Sequence, residues 1–273
     1  MHLQQHFVGE LLGTFLLVLF GCGSVAVTVL FGAHTGLFQL AMIWGLGVTI
    51  AIYATRHLSC AHLNPAVSIA MVLGRRMSLR KLPSYLGGQF IGAFAAAALL
   101  YLLFADSIAQ YEMLHQIVRG SAASIQTGMI FGEYYPNPGA GAVAVVGPTT
   151  AFLAEGIGTF VLVFLIFSLT EGCNLGRPDD ALAPLFIGLT VTLIISILAP
   201  LTQAGLNPAR DLSPRLFAML AGWGSAALPD RGYGFLSVYV LGPICGSALA
   251  AGLFTYVVEP LMKEKKADAC ACS

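Results

Sequence analysis

Charge is what this sequence has least of. Asp, Glu, Lys and Arg make up 10% of its 273 residues, against about 25% in soluble chains. The 13 basic and 13 acidic residues cancel, so no basic face is available for nucleic acid. With 57% hydrophobic residues, the chain cannot cover a soluble surface and is too apolar for disorder. The six cysteines (Cys22, Cys60, Cys173, Cys245, Cys270, Cys272) are scattered and have no histidine placed to complete a zinc site. They are read as free thiols, and no metal or cofactor is expected. Nucleophile elbow, phosphate loop and metal cluster are all missing, so an enzyme is not expected. The six histidines all precede residue 116, which leaves the second half without any. What remains is a membrane protein.

About 20 apolar residues cross the roughly 30 Å hydrocarbon core as a helix, and six such stretches are present: 7–30, 37–55, 84–104, 148–169, 183–200 and 235–257. The first lacks a basic leader and a small-residue cleavage site and is read as a span. Arg56, Arg75, Arg76, Arg80, Lys81, Arg177, Lys263, Lys265 and Lys266 fall on one side, and Arg119, Arg210, Arg215 and Arg231 on the other. Because short cytoplasmic loops collect Lys and Arg, both termini are expected in the cytoplasm of a multi-pass protein of the cell membrane. Residues 105–147 then form an extracellular connection and 258–273 a cytoplasmic tail.

The chain is duplicated. Glu10-Leu-Leu-Gly-Thr-Phe15 recurs as Glu155-Gly-Ile-Gly-Thr-Phe160, and Leu63-Asn-Pro-Ala66 as Leu206-Asn-Pro-Ala209, at offsets of 145 and 143 residues. Gly88-x-x-x-Gly92 likewise pairs with Gly242-x-x-x-Gly246, small-residue spacing that lets helices approach closely. The halves, about 7–104 and 148–257, hold three spans each. An odd number inverts the second half relative to the first, an arrangement that puts the functional site at the repeat interface near the midplane. After each Asn-Pro-Ala lies a short apolar stretch, 65–74 and 208–221, long enough to reach about halfway through a bilayer. Pro65 and Pro208 suit the first helical turn, and Asn64 and Asn207 the cap before it. Two half-helices entering from opposite faces meet tip to tip, and the irregular backbone ahead of them is tolerated at that depth only beside a water-filled cavity.

The paired boxes Asn64-Pro65-Ala66 and Asn207-Pro208-Ala209, with Ala61-His-Leu-Asn-Pro-Ala-Val67 and Arg210-Asp211, resemble the aquaporin family over residues 7–257, and more narrowly its glycerol-conducting branch. The resemblance implies an all-α membrane protein with six transmembrane helices and two re-entrant half-helices in an inverted repeat, forming a homotetramer with one pore per subunit. It implies a selectivity constriction at Trp44, Ile195, Ala204 and Arg210, and a pore lined by carbonyls of Cys60, Ala61, His62, Leu63, Gln203, Gly205 and Leu206. Glu10 and Glu155 are expected to accept from backbone N–H groups of the loops. Asp211 and Arg215 are expected to pair one turn apart.

Several positions depart from the branch. Ala204 stands where a second aromatic is usual, and Ile195 where the branch carries glycine and water channels histidine. Tyr239 stands where the branch has proline. Cys60 replaces a glycine and reads best as a small buried thiol, and His62 as packing behind the first box. An indole opposite an arginine makes an amphipathic slot for a molecule with carbons on one edge and hydroxyls on the other. Near the midplane Arg210 must face water or an acidic partner, Asp211 being the adjacent candidate. The expected function is a passive channel for glycerol, related small uncharged solutes and water that excludes protons and ions. The alternatives are a water, ammonia or metalloid pore, and, from another class, a secondary transporter.

Overall fold

A computed structural model describes residues 2–228 and 234–271, apart from the side chains of His2, Ala142 and residues 267–271. Arg231 therefore lies outside the described residues, as do the side chain of Cys270 and all of Cys272. Regular structure among the described residues is entirely helical. Six helices are long and apolar enough to cross a membrane. In chain order the α-helices longer than two turns are α1 (His2–Phe31), α2 (Leu37–Ser59), α3 (Pro65–Leu73), α4 (Leu82–Leu114), α5 (Pro148–Thr170), α6 (Ala183–Thr202), α7 (Pro208–Ala218), α8 (Gly242–Leu253) and α9 (Glu259–Ala271). The sixth span is α8 extended by π-helical turns at Leu236–Leu241 and Phe254–Val258.

The spans are apolar on every side, which marks helices buried against both protein and lipid. Leu102, Leu193, Ile197 and Leu249 point outward, while Val18, Cys22, Ala96 and Val163 are fully buried. Span three runs ten residues past its expected end at 104, to Leu114. The extension is amphipathic: Ile108 and Glu112 are buried, and Arg119 returns to Glu112 with Nη2–Oε2 at 2.8 Å. That internal pairing carries the helix beyond its apolar stretch.

α1 packs on α4 and α5 on α8, through the glycine pairs. A Cβ at Gly92 would lie 2.2 Å from the Leu11 carbonyl oxygen, and one at Gly246 1.9 Å from that of Gly156. No larger residue fits where backbone meets backbone. Between the halves, α2 packs on α6. Each half-helix packs on the third span of the other half, α3 on α8 and α7 on α4. The two copies are thus locked by exchange.

An even number of crossings leaves both chain ends on one face, the terminal face, and puts residues 115–147 on the opposite one. At the terminal face Arg76, just beyond α3, bridges Glu171 at 2.7 Å and Glu259 at 3.1 Å and stacks on Phe167. One guanidinium so ties the half-helix loop, the end of α5 and the start of α9.

Candidate functional site

The two half-helices begin as their sequences dictate. Asn64 and Asn207 have extended backbone at the cap, and each follows with proline in the first turn. Asn64 Oδ1 accepts from Ala66 N at 2.9 Å, and Asn207 Oδ1 from Ala209 N at 3.1 Å and Arg210 N at 3.2 Å. Those bonds fix which amide atom is oxygen. The NH₂ groups then cross between the halves, Asn64 Nδ2 donating to Leu206 O at 2.9 Å and Asn207 Nδ2 to Leu63 O at 2.7 Å. A primary amide has two N–H donors; one joins the half-helix tips and the other is left for the cavity that both asparagines line.

The backbone before each cap is unwound. Cys60, Ala61, Leu63, Gln203, Ala204 and Leu206 all have φ between 51° and 74°, the left-handed region that costs non-glycine residues about 1–2 kcal/mol each. Two carboxylates hold it there. Glu10 Oε1 accepts from Ser59 Oγ at 2.7 Å and His62 N at 2.9 Å, and Oε2 from Leu63 N and Gln89 Nε2, both at 2.7 Å. In the second half Glu155 Oε1 accepts from Thr202 Oγ1 at 2.6 Å and Gly205 N at 2.9 Å, and Oε2 from Leu206 N at 2.6 Å. The expected supporting role of both glutamates is what the bonds describe. With their N–H groups turned back to a carboxylate, the loops present carbonyls on the other side.

A cavity of about 1140 Å³ runs from Trp44, Ile195, Ala204 and Arg210, past Asn64 and Asn207, to Arg56, Arg76 and Glu259 at the terminal face. Cys60, Ala61, His62, Leu63, Gly205 and Leu206 line it, and Gln203 does not. The Gln203 side chain turns away to accept from Tyr134 N at 2.8 Å. His62 both lines the cavity and packs behind the first box, with Nδ1 3.2 Å from Ser68 Oγ and its ring on Tyr85. Cys60 corrects the reading of a buried thiol. It is exposed to the cavity, because its left-handed backbone at the end of α2 turns the residue outward from the packed helices.

On the cavity wall the Arg210 guanidinium carbon lies 4.4 Å from the Trp44 ring centroid. The two residues are in contact and do not face one another across an open slot, as expected for a cation drawn to the face of an indole. The acidic partner of Arg210 is not Asp211. It is Glu133, in the connection between the halves, which forms an ion pair with Arg210; their side chains are 2% and 3% exposed respectively. Burial pushes the Glu133 carboxyl above the ordinary carboxylate range, and the Arg210 guanidinium pulls it back. Asp211 pairs one turn along with fully buried Arg215, Oδ1–Nη2 at 2.5 Å, as expected. Together these two also hold the backbone of Glu133. Its N–H donates to Asp211 Oδ1 at 2.8 Å, and its carbonyl accepts from Arg215 Nη2 at 2.6 Å.

Sequence reasoning missed Glu133, and only its charge within an apolar chain could have flagged it. It also missed Tyr85, whose hydroxyl donates to the Ser59 carbonyl. Tyr239 does the same in the second half, to Thr202 O at 3.2 Å. Tyr85-x-x-Gly88 and Tyr239-x-x-Gly242 are one motif repeated, which gives the Tyr239 departure a place in the internal symmetry.

Comparison with known proteins agrees with this architecture. The chain is 43% identical over 252 residues to the glycerol uptake facilitator protein of Pseudomonas aeruginosa, covering 92% of this chain and 88% of that one. It is 38% identical over 257 residues to the propanediol uptake facilitator of Citrobacter freundii, covering 94% and 93%. Among solved structures, the aquaglyceroporin from Plasmodium falciparum superposes with a TM-score of 0.82 at 27% identity, over 96% of this chain and 99% of that one. The major intrinsic protein family model matches residues 1–254. Six membrane-capable helices, two capped half-helices meeting at their tips and this match place the chain in the major intrinsic protein family.

Proposed function

We propose that this protein is a passive channel for glycerol and related small uncharged solutes, propanediol among them, and for water, and that it excludes protons and ions. The observation that carries the proposal is the single cavity wall on which Trp44, Ile195, Ala204, Arg210 and both box asparagines follow one another. Solutes pass in single file. At the constriction the Arg210 guanidinium donates to hydroxyls while carbons slide on Trp44 and Ile195. Loop carbonyls at 60–63 and 204–206 then accept, and the remaining N–H donors of Asn64 and Asn207 hold an oxygen at the midpoint. Each half-helix tip carries about half a positive charge, so the two together oppose cations there and orient the central molecule against a continuous proton wire.

The assembly belongs to the same proposal: one channel domain of two inverted halves, a homotetramer with one pore per subunit, and both termini on the cytoplasmic side of the cell membrane. The uneven distribution of Lys and Arg supports that orientation. Stopped-flow light scattering on vesicles holding the purified protein tests the function. Glycerol permeability should rise well above that of protein-free vesicles, linearly with concentration and independently of any ion gradient. Saturable, ion-coupled uptake would point to a transporter. Water flux without glycerol flux would point to a water, ammonia or metalloid pore.

A further inference from the structure

Everything that rejects cations in this pore is positive, and that creates a second problem. The two half-helix tips and the Arg210 guanidinium line one cavity, and a positive constriction within low-dielectric walls attracts small anions. A charge left uncompensated there would exchange a cation barrier for an anion path.

Two buried ion pairs stand at the constriction, and the nearby buried carboxylate of Glu155 is taken up by the N–H groups of Gly205 and Leu206. Arg215 and Asp211 neutralise each other, with Nε to Oδ2 at 3.1 Å and Nη2 to Oδ1 at 2.5 Å. Among the described residues, the ion-pair partner of Arg210 is Glu133. The pair is asymmetric toward the pore. Arg210 lines the cavity and Glu133 does not, so the carboxylate stands behind the guanidinium, where it cancels charge without offering an acceptor to a passing cation. Arg210 Nη1 is buried and has no hydrogen-bond partner among the described residues, so the ion pair does not use up every donor of the guanidinium. The carboxylate is also held in place. The Glu133 backbone is bonded to Asp211 and Arg215, and the next N–H, of Tyr134, donates to Gln203.

We propose that Glu133 is the anion-excluding residue of this channel, the buried counter-charge that makes the constriction electrically neutral while Arg210 keeps its hydrogen-bond donors. Arg215 and Asp211 are positioning residues for it. The inference rests on the channel reading above, and the test separates the two.

Full-length protein in planar bilayers is measured under a potassium chloride gradient, with glycerol-driven swelling of vesicles from the same preparation as proof of a folded, inserted pore. Wild type passes glycerol and shows no chloride-selective conductance. Glu133→Gln, which keeps the size and removes the charge, raises chloride conductance at least about tenfold, because unit charges in contact at a protein site interact by more than the free energy of a tenfold change. Its reversal potential moves toward the chloride value. Glu133→Ser gives the same result and serves if the glutamine variant does not insert, while Glu133→Asp stays silent. The double variant Glu133→Gln with Arg210→Gln, neutral again by loss of both charges, loses the chloride selectivity, which mere loosening of the loop would not do. Glycerol-conducting Glu133→Gln or Glu133→Ser with wild-type conductance overturns the proposal. So does a double variant that stays chloride-selective. Wild type that passes no glycerol overturns the channel reading instead.

Discussion

Ala204 sits on the cavity wall beside Arg210, only 5% exposed and with φ at 59°. Where the branch carries an aromatic, this chain has a methyl group, and Ile195 supplies bulk from α6. On the proposed channel reading, width and chemistry are set by different residues: Ala204 and Ile195 bound how much carbon passes, and Arg210 selects what it must carry. Ala204→Phe should narrow the wall without touching the Arg210–Glu133 pair. Since hydrophobic pockets discriminate single methylenes by about tenfold or more, permeability to a five-carbon polyol should fall about tenfold relative to glycerol. Swelling rates measured with both solutes on one preparation check this, and an unchanged ratio would show that Ala204 does not bound the constriction.

At the scale of elements, the loops before the half-helices depend on two carboxylates rather than on their own hydrogen bonding. Glu155→Ala would orphan the N–H groups of Gly205 and Leu206 and the Thr202 hydroxyl. At about 1–3 kcal/mol for each unsatisfied buried donor, the loss should be at least about 3 kcal/mol. Thermal unfolding in detergent should show it as a clear drop in Tm, with Glu155→Gln, which keeps one acceptor oxygen, falling between. The helix contacts give a sharper comparison within one helix. Gly246→Ala puts a methyl into the Gly156 carbonyl, whereas Gly252 has nothing within 4 Å of an added Cβ. Overpacking costs about 1–3 kcal/mol, so Gly246→Ala should lower Tm and Gly252→Ala should leave it unchanged.

The same contrast explains what the sequence could reveal. Glu10, Glu155, the Asn-Pro-Ala boxes and the glycine pairs were legible because each occurs twice at one offset, so a residue ambiguous alone is checked by its copy. Glu133 has no copy. It reaches Asp211 from 78 residues away in sequence, through an irregular connection without periodicity. Cys60 was misjudged for another reason: residue type says how often a thiol is buried, whereas a left-handed backbone decided where this one points. The Trp44–Arg210 contact, and the choice of Glu133 over the adjacent Asp211, depend on side-chain direction, which spacing along the chain does not encode.

For the molecule as a whole, the pore is a property of the interface between the halves. Asn64 and Asn207 each bond the other half's loop, α2 packs on α6, and the half-helices exchange places against α8 and α4. Neither half encloses the cavity, since Asn64 and Trp44 come from one and Asn207, Ile195 and Arg210 from the other. The covalent link between them matters much less. Val143 and Val145 are 92% and 91% exposed, and an exposed loop tolerates nicking when its backbone bonds little to the rest. Residues 1–142 and 143–273, produced together, should therefore assemble and restore glycerol permeability, because the first fragment keeps Glu133 and the second every residue that clamps it. Either fragment alone should give vesicles no faster than protein-free ones. Co-purification of the two fragments with no glycerol flux would show that the connection itself sets the register of the tips, and flux from one fragment alone would show that the cavity does not need both halves.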